Sequence, residues 1–151
     1  MKNTLAFFSA RPAAPEHATL RITDETEACA AVLVACLYAN ELGYNKENAT
    51  FHATIRSRNI FKGHDTGALI DAAEKHLETA GSPAGLIDAA IGAIREQLRL
   101  PLFYHCLDII LFDGVVTPRE HKVFQYLKGK FHVSDEVAFQ AMEVLVAKNQ
   151  L

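Results

Sequence analysis

Residues 102–124, LFYHCLDIILFDGVVTPREHKVF, constrain this chain more than any other stretch. From 102 to 112 only His105 and Asp108 are strongly polar. A helix there must be covered on most of its circumference rather than along one stripe, so it belongs at the centre of a fold. Gly114 suits the left-handed residue that ends a helix. Thr117, Pro118 and Glu120 fit the N-cap, N1 and N3 positions of the next one, a capping box with proline where its missing N–H costs nothing. The stretch therefore predicts a buried helix, a tight corner and a second helix.

The corner resembles the tellurite-resistance TerB family, in which an apolar helix ends in Asp-Gly and a Glu follows seven residues after the Asp. Asp113, Gly114 and Glu120 occupy those positions here. The helices expected over 120–128 and 134–148 also have the family's lengths and spacing, and the likeness covers residues 23–151. It implies a non-enzymatic cytoplasmic protein of a stress-response or tellurite-resistance system, acting by binding protein partners, some of them membrane-associated, or metal ions. The family pattern is broken at a second corner, where Asn40-Glu41 stands in place of Asp-Gly.

With 151 residues, half of them hydrophobic, the chain can bury one core and is too short for two domains. Its formal net charge is −3, and no basic stripe offers the clustered Lys and Arg that phosphate neutralisation needs, so nucleic acid is not an expected partner. Cys29, Cys36 and Cys106 all fall in apolar helical runs without a Cys-x-x-Cys pair. They read as small buried hydrophobes in a reducing compartment. The apolar core of the first residues, 5–8, falls short of the ~7–15 residues of a secretory h-region, and residues 1–22 read as an N-terminal arm. No window approaches the ~18 apolar residues of a bilayer span.

After that arm, residues 23–151 form the expected helical domain. Thr23-Asp24-Glu25 start a second central helix reaching Ala39, with Cys29, Val32, Leu33, Cys36 and Leu37 on one face and Ala28, Ala31 and Ala35 on another. Asn45 is expected to cap a helix over 46–60, with Arg56, Arg58 and Lys62 at its C-terminal end. Asp65 or Thr66 caps one reaching about Thr79, Ser82-Pro83 restarts one to about Leu98, Pro101 opens the central helix, and Ser134 caps the last. No stretch alternates with period two for the length of a strand. The fold is therefore all-α, a single-domain bundle of about seven helices. Laying Asn40 on Asp113 also superposes Glu47 on Glu120 and Phe51 on Phe124, which points to an approximate internal two-fold duplication.

A carboxylate at a helix C-terminus faces the negative end of the helix dipole, so Asp113 needs a compensating partner. One reading gives it backbone N–H groups of the loop or of the next helix. The other gathers Asp113, Glu120, Asn40 and Glu47 around a divalent cation, since their oxygens suit calcium or magnesium. An EF-hand is excluded, because counting from Asp113 puts Val115, Arg119 and Phe124 in ligand slots. The seven histidines show no zinc spacing, and no nucleophile elbow or phosphate-binding glycine motif occurs. His105 and Asp108, three apart, are placed to hydrogen-bond as a buried polar pair or an acid–base dyad. Aromatic residues near the two corners, among them Tyr104, read as core. Alternatively, they line a seam between the halves that takes a small apolar ligand.

Overall fold

The computed structural model describes Phe7 and residues 20–39, 48–111 and 117–151; Asn40, Glu47, Asp113 and Gly114 lie outside the described residues. Seven α-helices and one short 3-10 turn account for the regular structure, and no strand occurs among the described residues. The expectation of an all-α bundle is met. The helices are α1 (Glu25–Ala39), α2 (Ala49–Ser57), α3 (Thr66–Ala80), α4 (Pro83–Ile91), α5 (Glu96–Ile110), α6 (Pro118–Phe131) and α7 (Asp135–Lys148), and the 3-10 turn is Asn59–Phe61.

Helix α1 is the hub. It is apolar around its whole circumference, it buries residues 28–37 and Ala39, and it packs against α2, α3, α4 and α5. Its alanines let these neighbours approach closely. At its start the Asp24 carboxylate accepts from the Glu27 N–H at 2.9 Å. Near its end the Tyr38 hydroxyl donates to Glu74 of α3 at 2.9 Å.

The other caps follow the sequence with three changes. Asp65, Ser82, Thr117 and Ser134 cap α3, α4, α6 and α7 as expected, and Gly81 ends α3 in the left-handed conformation. Helix α2 starts at Ala49, capped by the Asn48 side chain on the Phe51 N–H at 2.9 Å; Asn45 lies outside the described residues. The helix expected over 83–98 stops at Ile91. The helix expected to open at Pro101 starts at Glu96 and carries Pro101 inside it. Arg99 bridges this break: its guanidinium donates to the carbonyl of Ile94, in the link between the two helices, at 3.0 Å and to that of Ile91, at the end of α4, at 3.2 Å. Glu25 of α1 accepts from the Arg95 N–H at 2.9 Å and so fixes the start of α5.

Helix α5 departs from the expectation of all-round burial. Leu102, Phe103, Cys106, Leu107, Ile109 and Ile110 are buried, but Leu100 and Tyr104 are 39% and 41% exposed. Tyr104 is therefore surface, not core. The interior side of α5 meets α6 through Phe103, whose ring lies 6.2 Å from Phe124 and 6.0 Å from Phe131. Helix α7 is the least covered: Ala138 alone is buried, while Ala141, Met142 and Leu145 pack partly on the core. The two halves are thus unlike in packing, with α1 and α3 closely joined and α7 held mostly by its edge.

The residue expected in a free arm behaves otherwise. Phe7 is buried, its ring stands edge-on to Tyr126 at 5.4 Å, and its carbonyl accepts from the Ala84 N–H at 3.1 Å. The Ile22 N–H bonds Ala89 on the same helix at 3.0 Å. Both backbone hydrogen bonds fall on α4 and the ring contact on α6.

Candidate functional site at the helical corners

Of the four residues named for a cation site, Glu120 is within the described residues and Asp113, Asn40 and Glu47 are outside them. Glu120 is buried and closes a complete capping box: it accepts from the Thr117 N–H at 3.1 Å, and its own N–H donates to the Thr117 hydroxyl at 3.1 Å. Here a buried carboxylate costs little because it stands at a helix N-terminus, where free N–H groups and the dipole both favour negative charge.

Arg119, which sequence reasoning passed over, links the end of α1 to the start of α6. Its Nε donates to the Ala39 carbonyl at 3.1 Å, across 80 residues of chain. Ala39 is the last residue of α1 and adjoins Asn40; Arg119 adjoins Glu120. The end of α1 is thereby tied to the start of α6. The cation at this junction is a guanidinium, which satisfies the negative end of α1. No periodicity could have signalled it, since its partner is a backbone carbonyl in the other half of the chain.

The pair His105 and Asp108 does not form a dyad. Asp108 receives the Lys148 ammonium of α7 at 3.2 Å, and no hydrogen bond joins it to His105 among the described residues. Partial burial pushes the pKa of His105 down, the positive charge of Arg58 adds to this, and Asp108 opposes it. The sequence placed both side chains on one face but could not show that α7 would bring a lysine to the carboxylate.

Cys29, Cys36 and Cys106 are free thiols and all buried, as their apolar surroundings predicted. Burial, with Glu25 and Asp24 adding to it against Arg95, pushes Cys29 up to about 12. Burial raises Cys106 well above the usual thiol range, and a hydrogen bond with Cys36 reinforces the shift. Thiols held in this state are poor nucleophiles and poor metal ligands, because the reactive form is the thiolate. No group of three or more His, Cys, Asp or Glu side chains among the described residues is arranged to hold a metal ion. No helix among them is long and apolar enough to cross a membrane.

Two surface cavities border α4, the larger of them where α4 and α5 face α6. The larger, about 560 Å³, is lined chiefly by Ile91, Arg99, Tyr126, Lys130 and His132. The smaller, about 300 Å³, runs between residues 20–23 and α4. Cations at the larger one already have work: Arg99 caps α4, and Lys130 pairs with Asp88 at 3.0 Å. Asp88 also accepts from the Tyr126 hydroxyl, which together with burial raises the Tyr126 pKa.

Comparison of the chain with protein-family models, with curated proteins and with solved structures finds no match in any of the three.

Proposed function

We propose that this chain is a non-enzymatic binding or scaffolding module, cytoplasmic and of the stress-response type that the likeness at Asp113, Gly114 and Glu120 implies. The observation that carries the reading is the uneven finish of the bundle. Glu120 and Arg119 at the start of α6 and Asp108 on α5 are bound into a cap, a backbone hydrogen bond and an ion pair, whereas α5 and α7 leave large apolar side chains in solvent. Buried aromatic residues are an ordinary core requirement, but several large apolar groups left exposed on adjacent helices suit contact with another macromolecule. Sizing the full-length chain in a gentle extract of its source cells tests the reading. The expected result is elution in an assembly larger than the 16.6 kDa chain; elution as the isolated chain overturns it.

A second reading, divalent-cation binding at the corner, draws support from the bond between Arg119 and Ala39, which holds the end of α1 against the start of α6. A cation that binds the folded state raises stability by mass action, by about 2.7 kcal/mol at a hundredfold excess over its dissociation constant. Thermal melts with saturating calcium, magnesium, manganese and zinc test it, and four unchanged midpoints remove it. A pocket for a small apolar ligand between the halves has less in its favour, since the charged Arg99 and Lys130 line the larger cavity and Arg21 and Asp88 the smaller.

A further inference from the structure

Leu100, Tyr104 and Asp108 recur every four residues on α5 and so form one stripe along it. The Lys148–Asp108 ion pair at 3.2 Å sets this stripe against one flank of α7. On that flank, at helical spacing before Lys148, stand Val144, Ala141 and Val137. The two helices run in the same direction: the Asn149 amide donates to the Leu111 carbonyl at 2.8 Å at one end, and Phe139 meets Phe124, which meets Phe103, towards the other. Tyr104 and Val144, each one turn before the ion pair, therefore stand at the same level. Tyr104 is 41% and Val144 65% exposed. The result is an apolar strip along the seam of α5 and α7.

The opposite border of the strip is cationic. Helix α2 packs against α5, and Arg58 is its C-terminal capping residue; its positive charge acts on His105, the neighbour of Tyr104. Residues 49–64 contain Arg56, Arg58 and Lys62 and no Asp or Glu. All three are exposed, and none has a carboxylate partner among the described residues. The C-terminus of the nine-residue α2 presents about half a negative charge, far less than three cations supply. On a chain of net charge −3 this is a local reversal of sign.

We propose that the α5–α7 strip with its Arg58 border is the docking surface for an acidic amphipathic segment of a protein partner. Apolar side chains of that segment, one helical turn apart, cover Leu100, Tyr104 and Val144, and its carboxylates meet Arg58, Arg56 and Lys62. A second copy of this chain is the occupant the test has to separate from this one, since a two-fold interface would pair the strip with itself. The proposal rests on the binding-module reading and adds to it the surface and the class of partner.

The test uses a fluorescent synthetic helix with leucine at positions i, i+4 and i+7 and mostly glutamate elsewhere, titrated with the full-length chain. Saturable binding is expected, weakened by about tenfold or more in Val144→Glu and in Arg58→Glu, lost when lysine replaces glutamate in the peptide, and reduced by added salt. Both substituted side chains are exposed, so melting midpoints near that of the unsubstituted chain establish that the variants fold. Absence of binding, or binding that ignores both substitutions, overturns the proposal. So does a dimer that Val144→Glu dissociates, or binding to vesicles of anionic lipid without binding to the peptide. If the chain elutes within an assembly while the peptide result is negative, the module reading stands and this surface falls.

Discussion

The Thr117 hydroxyl and the Glu120 carboxylate each satisfy a backbone donor that the start of α6 would otherwise leave open. Thr117→Ala removes one acceptor and frees the carboxylate, so a loss of about 1 kcal/mol is expected in urea unfolding, with no change in the helix content of the folded state. His105 gives a second expectation at this scale. Its folded pKa lies below the ordinary imidazole value, so the unfolded chain binds the proton more readily. The stability linked to this residue is whole above the ordinary value and is lost as the pH falls through it towards the depressed one. Urea titrations from neutral to acid pH should show His105→Gln losing less stability than the unsubstituted chain over that window; parallel profiles would count against it. The capping box was legible because its residues are neighbours in sequence. The surroundings of His105 were not, since burial, Arg58 and Lys148 all come from other elements.

Among the elements, the junction of α4 and α5 shows where local signals mislead. Pro101 looked like a helix opener, yet it lies on the exposed side of α5 and takes away the N–H that would reach the Gln97 carbonyl. Pro101→Ala restores that donor, and a gain of about 1–2 kcal/mol in chemical denaturation is expected; it is less than the full penalty of an interior proline because the unfolded chain also gains freedom. The actual boundary is placed by Arg99 reaching back to Ile91 and by Glu25 receiving the Arg95 N–H, the latter across 70 residues of chain. Hydrophobic periodicity located α3 and α7 well, because each has one apolar face and a polar cap. In α5 it overstated burial at Leu100 and Tyr104, which depends on where neighbouring helices stop.

At the scale of the whole molecule, the attachment of the N-terminal segment has a measurable consequence. Phe7 is buried against Tyr126 although the residues around it read as an arm. Phe7→Ala should cost about 3 kcal/mol in equilibrium unfolding, the low end of the range for removing a buried aromatic ring, because the site can partly collapse; an effect near zero would mean that the segment contributes no core. The sequence by itself determined that the chain is helical and single-domain, that α1 lies at the centre, that α6 opens with a capping box and that the three cysteines are buried. These follow from composition and from residue spacings within one or two helical turns, where side chains share a face whatever the rest of the chain does. The tertiary structure alone decided that Arg119 ties the end of α1 to the start of α6, that Lys148 takes Asp108 from His105, and that α5 and α7 leave an apolar strip in solvent. Each depends on which helices become neighbours and at what level they meet. That is settled by packing over the whole core, and no local pattern encodes it.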